Sequence, residues 1–143
     1  MRGLLLALLI LSPACAPSKA PARRAGIVSL GPSTIHVVPA EGQPPYCLVY
    51  SASATGVVRL LTMNAAGTMF ECPAGQPIGG VAYEIPPAEG KVRIYVIFSD
   101  RALEAAPLSA QVHEMGTRAG LTAMDLRAPG NVVLETLELT PSE

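Results

Sequence analysis

The sequence contains no tryptophan and only two phenylalanines and four tyrosines among its 143 residues, so aliphatic side chains must form most of its core. An excess of positive charge is also lacking, because ten Lys and Arg stand against eleven Asp and Glu, for a net charge of -1. Binding to a phosphate backbone requires a basic surface, and we therefore expect no nucleic-acid partner. The chain is long enough for one domain and too short for two with separate cores.

Motifs for catalysis and for metal or nucleotide binding are missing as well. The two histidines, His36 and His113, adjoin no nucleophile motif such as G-x-S-x-G. Asp100 and Glu104 lack the aromatic platform of a sugar site, and we expect Asp100 to bond main-chain N–H groups at a turn. No Cys or His pair has metal-ligand spacing, and no glycine-rich loop carries a phosphate-binding lysine. We therefore predict no enzyme activity, no catalytic residue, no cofactor and no metal.

The one long apolar run is the stretch from Leu4 to Leu11, which follows a single arginine. It is too short to span a hydrocarbon layer of about 30 Å and is typical of a signal peptide. Cys15 resembles the lipid-acceptor cysteine of bacterial lipoproteins, which makes residues 1–15 a lipoprotein-type signal peptide. In a second interpretation, Ala14 and Ala16 form an A-x-A cleavage site and the cysteine is discarded with the leader; a third is an uncleaved anchor.

Residues 16–25, APSKAPARRA, carry two prolines, three cations and no large apolar side chain, so we predict a flexible tether. With a lipid on Cys15, the protein is expected in the cell envelope, anchored to a membrane and facing the periplasm or the outer surface. Cleavage after Ala16 instead predicts a soluble periplasmic protein.

Cysteine usage agrees with export. Cys47 and Cys72 remain whatever happens to Cys15, and an even remainder in an oxidising compartment favours a disulfide between them. The alternative is a pair of buried free thiols, because spacing alone does not show that the two Cβ atoms meet.

The remainder, residues 26–140, is predicted to be a single β-rich domain. Short runs of β-branched and aromatic residues alternate with Gly and Pro turns, as expected for a mainly β fold, either a small antiparallel β-sandwich or a partly open barrel. The predicted strands are Ile27 to Leu30, Thr34 to Val38, Tyr46 to Ser51, Val57 to Met63, Val81 to Ile85, Lys91 to Phe98, and Val132 to Leu139.

Two of these patterns are specific enough to assign faces. In Lys91 to Phe98, one face is wholly apolar and the other is apolar toward its end, which predicts a central strand. From Pro107 to Met115, apolar residues recur at helical spacing and Gly116 follows, which predicts one short amphipathic helix. We expect this helix to cover an open end or edge of the sheet.

Tyrosine supplies the only candidate partner surface. A tyrosine ring combines an apolar body with a hydroxyl that seeks a partner, so tyrosines on neighbouring strands are suited to a contact face. Such a face would contain all four tyrosines of the chain, Tyr46, Tyr50, Tyr83 and Tyr95. The alternative is that the rings are buried at sheet edges with their hydroxyl groups in water.

Four segments together resemble a known family: Tyr46 to Tyr50 (YCLVY), Gly56 to Leu61 (GVVRLL), Ile85 to Gly90 (IPPAEG) and Arg93 to Asp100 (RIYVIFSD). They are similar to a bacterial envelope domain of unknown function, with a Y-x-x-V-Y strand, a Pro-Pro-x-x-Gly turn and a strand ending in Phe-Ser-Asp-Arg. That family occurs as lipoproteins and beside kinase-like or caspase-like regulators. The resemblance implies a β-rich module with no assigned activity.

The leading hypothesis is therefore an exported cell-envelope lipoprotein whose non-enzymatic β-domain acts in protein interaction or sensing. Its expected partners are a membrane, through the lipid, and an envelope protein of unknown identity. Two alternatives stay open: a small periplasmic hydrolase that uses His113 or Asp100, and a ligand carrier with an apolar cavity beneath the tyrosine strands.

Overall fold

The computed structural model describes residues 22–62 and 64–142. The predicted signal peptide, Cys15 and all but the last four residues of the predicted tether lie outside this part of the chain. The described elements are the strands β1 (Ala25–Ser29), β2 (Thr34–Pro39), β3 (Tyr46–Ser53), β4 (Val58–Leu60), β5 (Phe70–Glu71), β6 (Tyr83–Glu84), β7 (Val92–Ser99) and β8 (Val132–Leu139), and the helix α1 (Ala105–Met115).

The strands form two antiparallel sheets. The smaller sheet has the order β1-β2-β6, and the larger has the order β4-β3-β7-β8, with β5 also paired to β3. Neither order closes on itself, so the fold is a small β-sandwich and not a barrel. The predicted mainly β architecture is confirmed.

The larger sheet is covered on both faces. Alternate residues of β7, beginning at Val92, pack between the sheets, whereas Tyr95 and Ile97 pack on the opposite face with α1. Every residue from Ile94 to Phe98 is 0% exposed. The predicted central position of this strand is confirmed, because only a strand with cover on both sides buries consecutive side chains.

The helix begins at Ala105, two residues before its predicted start, and its buried side chains include Leu108 and Val112. The main-chain N–H of Gly116 donates to the carbonyl of Val112 at 2.6 Å and ends the helix as predicted. Its position differs from the prediction: α1 lies across a face of the larger sheet, not over an open end or edge. That face is rich in Leu, Ile and Tyr side chains that would otherwise be in water.

Both domain boundaries extend beyond their predicted positions. Ala25 was expected in the tether, yet it begins β1 and is 2% exposed. The N–H of Arg24 donates to Glu135 Oε2 at 2.7 Å, so the chain is fixed before Gly26. At the other end, the N–H of Ser142 donates to the carbonyl of Pro32 at 3.1 Å.

The short strands β4, β5 and β6 depart most from prediction. β4 and β6 are shorter than expected, Met63 lies outside the described residues, and the two-residue strand β5 was not predicted. Between β4 and β5, a side chain replaces a strand partner: the N–H of Val49 donates to the hydroxyl of the buried Thr62 at 2.9 Å. This bond satisfies a main-chain donor that would otherwise be buried without a partner.

Candidate functional site

The predicted disulfide is present. Cys47 and Cys72 are bonded, with Cα atoms 5.9 Å apart, and are 0% and 5% exposed. Both belong to the core between the sheets, and Cys47 points away from Tyr46 and Tyr50, as the alternation along β3 predicted. The bond holds the segment after β5 against β3, where the N–H of Cys72 also donates to the carbonyl of Pro45.

The four tyrosines do not form a common surface. Tyr50, Tyr83 and Tyr95 are 0%, 6% and 0% exposed, and only Tyr46 is partly exposed. Tyr83 packs between the sheets, whereas the other three pack on the helix side of the larger sheet. The prediction of a partner face formed by the four tyrosines is therefore wrong. The alternative, buried rings whose hydroxyl groups lie in water, is also wrong for Tyr50, Tyr83 and Tyr95.

The hydroxyl groups of the buried tyrosines bond inside the fold: Tyr50 with Ser109 Oγ at 3.0 Å, Tyr83 with the carbonyl of Ile78 at 2.7 Å, and Tyr95 with the carbonyl of Gly116 at 2.9 Å. Burial raises the pKa of Tyr83 to about 12. It also raises the pKa of Tyr50, an effect that the Ser109 hydrogen bond opposes. Through these hydrogen bonds, the three tyrosines link separate segments of the fold.

The two histidines considered for catalysis lie on different elements of the fold. His113 is exposed on α1, and its Nδ1 lies 2.9 Å from the main-chain carbonyl of Ser109. His36 is on β2, opposite Val28. Asp100 Oδ1 accepts from the N–H of Asn131 at 3.1 Å, so Asp100 does bond a main-chain N–H, but the donor lies just before β8 and not in the turn after β7.

One buried acid lies outside the predicted site residues. Glu89 is 6% exposed in the turn before β7, and its carboxylate forms an ion pair with Arg59 of β4. Apart from this pair, neither carboxylate oxygen accepts a hydrogen bond within the described residues. The turn sequence Pro86-Pro87-Ala88-Glu89-Gly90 belongs to the resemblance to a known family, and nothing in it shows that the acid is covered.

A surface groove lies beside the N-terminal half of α1. Its volume is about 320 Å³, and its lining is mainly apolar. One wall comes from the connection after β7 and the start of α1, and the other from the segment before β8. The lining residues are Ala102, Leu103, Glu104, Pro107, Leu108, Arg127, Ala128 and Pro129.

One side chain holds the two walls together. Gln111 Nε2 donates to the carbonyls of Pro107 and Arg127, both at 3.0 Å, and Gln111 Oε1 accepts from the N–H of Arg127 at 2.6 Å. Leu103 and Leu108, which are 8% and 2% exposed, belong at the same time to the core under the helix. The groove therefore has fixed walls and an apolar base.

This groove can hold an apolar group. Its volume is at the low end of the range for ligand sites, about 300 to 1,000 Å³, which suits a side chain or a small molecule. Glu104 and Arg127 add one charge of each sign to the lining. None of the four tyrosines lines it, so it is not the cavity expected of a carrier with a site beneath the tyrosine strands.

In residues 22–62 and 64–142, no group of three or more His, Cys, Asp or Glu side chains is arranged to hold a metal ion. No helix in this part of the chain has both the length and the apolar character needed to cross a membrane.

Comparisons of the chain with protein-family models, with curated proteins and with solved structures find no match.

Proposed function

We propose that this protein is an exported, non-enzymatic interaction domain of the cell envelope, and that the groove beside α1 binds a short segment of a partner protein. The occupant inserts one large aliphatic or aromatic side chain between Leu103 and Pro129. The observation that carries the proposal is a preformed apolar groove whose walls are fixed by Gln111. Fixed walls favour binding because little conformational entropy is lost when the partner enters.

The chemistry of the lining supports a protein segment as the occupant. Ala102, Pro107 and Pro129 offer apolar contacts, and Glu104 and Arg127 provide an acceptor and a donor for the main chain on either side of the inserted residue. The volume of about 320 Å³ is small for a large cofactor.

Export is supported by two independent features. The amino-terminal apolar run is typical of a signal peptide, and the disulfide between Cys47 and Cys72 is of the kind that persists in oxidising compartments. Within this proposal, Cys15 carries the lipid that anchors the domain, and residues 16–23 form the tether. The resemblance to the envelope domain family, which includes lipoproteins, agrees with this placement.

The groove is tested with short capped peptides that differ only in a central Leu, Phe, Ser or Asp, added to the protein and followed by NMR. We expect the Leu and Phe peptides to shift the methyl signals of Leu103 and Leu108, and the Ser and Asp peptides to leave them unchanged. Ala102→Glu places a charge in the groove and should weaken peptide binding about tenfold or more. The matched control is Ala110→Glu, the same change at an exposed position of α1 outside the groove.

Equal shifts with all four peptides, or equal loss in both variants, would contradict a specific apolar site. The anchor is tested separately by palmitate labelling of cells that express the wild-type chain or Cys15→Ser. Label in the wild type alone supports the lipid, whereas equal release of both forms into the periplasm contradicts it. Recovery of the protein with Met1 attached and with Cys47 and Cys72 open to alkylation would contradict export altogether.

A further inference from the structure

The register of β1 shows which of its main-chain groups are already used. The carbonyl of Arg24 accepts from the N–H of Ala40 at 2.8 Å, and the N–H of Leu30 donates to the carbonyl of Thr34 at 2.9 Å. In an antiparallel pair, the residues whose main chain faces the partner strand alternate along the strand. Even-numbered residues of β1 therefore bond to β2, and the odd-numbered residues direct their N–H and C=O groups to the free edge.

Two of the odd-numbered residues are accessible at this edge. Ile27 is partly exposed and Ser29 is exposed, whereas Ala25 is 2% exposed and covered. Within the described part of the chain, the outward N–H and C=O groups of Ile27 and Ser29 have no hydrogen-bond partner. The edge thus presents two donors and two acceptors in the regular spacing of a strand.

This edge also lacks two of the features that keep sheet edges from pairing, a charged residue and a proline. The run from Ala25 to Leu30, AGIVSL, contains no charge and no proline, and Val28 is 49% exposed on the outer face. The other edges are better protected. β8 carries exposed Glu138, β4 is three residues long and carries Arg59, and β6 has only two residues.

We propose that β1 pairs antiparallel with β1 of a second copy of this chain, about a two-fold axis through Val28. In this register Ile27 stands opposite Ser29 of the second copy, and Ser29 opposite Ile27, which allows about four main-chain hydrogen bonds. The two small sheets then form one continuous sheet across the dimer. The contact is isologous, as in most homodimers, because the same residues face each other from both sides.

The side chains on the outer face suit this axis. The two Val28 residues are direct neighbours and cover each other, which removes apolar surface that is half exposed in one copy. Leu30, 53% exposed, stands opposite Gly26, where the absence of a side chain leaves space for it. The hydrogen bond from the Arg24 N–H to Glu135 lies before the first of the paired residues, so the proposed pairing does not break it.

The register is tested by a single cysteine on the axis. Residues opposite each other in a non-hydrogen-bonded pair have Cα atoms about 4.5 Å apart, within the range for a disulfide. Val28→Cys in the full chain should therefore form a covalent dimer under mild oxidation, seen on a non-reducing gel. The matched control is Val81→Cys, the same change at 51% exposure outside the edge, and the wild-type chain controls for Cys15.

A second measurement is independent of cysteine chemistry. Sedimentation of the purified full chain should show a reversible dimer, and Ser29→Pro, which removes one edge N–H per copy, should weaken it about tenfold or more. Ser29→Thr keeps that N–H and should dimerise like the wild type. A monomeric wild type at all accessible concentrations, or cross-linking of the Val81→Cys variant equal to that of Val28→Cys, would overturn the proposal.

Discussion

The disulfide between Cys47 and Cys72 provides the most quantitative test of the fold. Its partners are separated by 25 residues, and in the chain-entropy model the closed loop restricts the unfolded chain by about 3.5 kcal/mol at 25 °C. The native state needs little change when the bond is opened, because β3 and β5 are already paired at Cys47 and Phe70. We therefore expect reduction to lower the free energy of unfolding by about 3 to 4 kcal/mol.

The assay is urea unfolding followed by far-ultraviolet circular dichroism, since the chain has no tryptophan to report by fluorescence. Comparing the oxidised and the reduced wild type isolates the cross-link, because no side chain changes volume. The double variant Cys47→Ala, Cys72→Ala is then compared with the reduced wild type, and the difference measures the packing of two buried sulfur atoms.

A change of less than about 1 kcal/mol on reduction would refute this reasoning. It would mean either that the unfolded chain already keeps β3 near the segment after β5, or that the bond is strained in the native state. Equal slopes of the free energy against urea concentration in the two redox forms would favour the first explanation, because the slope reports the surface exposed on unfolding and an unfolded chain that already holds these segments together is not made more compact by the bond.

Three further predictions concern single side chains. Tyr95→Phe leaves the buried carbonyl of Gly116 without its donor and should cost about 1 to 3 kcal/mol, measured by urea unfolding. Val112→Ala removes two fully buried methyl groups under the helix and should cost about 2 kcal/mol or more, measured in the same way. Lys91 holds the pKa of the Glu138 carboxyl below its usual 4.5 by a hydrogen bond and by its charge. A lowered carboxyl pKa stabilises the folded state at pH values above the unfolded-state pKa, and this stabilisation is lost as the pH falls through the folded-state pKa. In urea unfolding, Glu138→Gln should therefore be slightly less stable than the wild type at neutral pH and equal to it in acid.

Local sequence patterns predicted the elements whose burial alternates or recurs regularly. The bounds of β8, Val132–Leu139, agree with prediction to the residue, and both faces of β7 were assigned correctly. Two of the three buried positions of α1, Leu108 and Val112, also followed from spacing, because the apolar stripe of a helix repeats every three to four residues. Each of these results depends on residues that are neighbours in the chain.

The failed or missed predictions depend on contacts between distant segments. Three of the tyrosines lie on the face of the larger sheet that α1 covers. The sequence around them does not show this cover, and they were therefore expected at an exposed partner face. β5 has only two residues, too few for any periodicity, and its partner in the sheet is the distant strand β3. The burial of Glu89 likewise depends on Arg59, thirty residues earlier in another strand.

The same long-range packing determines which surfaces remain for partners. Because α1 covers one face of the larger sheet and the smaller sheet covers the other, the interior strands offer no exposed side chains for binding. Two surfaces remain available to partners. One is the groove, where α1 meets the segment before β8. The other is the free edge of β1, which carries no charged residue and no proline. The two surfaces are built from different segments, so Ala102→Glu should leave dimer formation unchanged and Ser29→Pro should leave peptide binding unchanged. Loss of both properties in either variant would show that the two surfaces are coupled through the core that separates them.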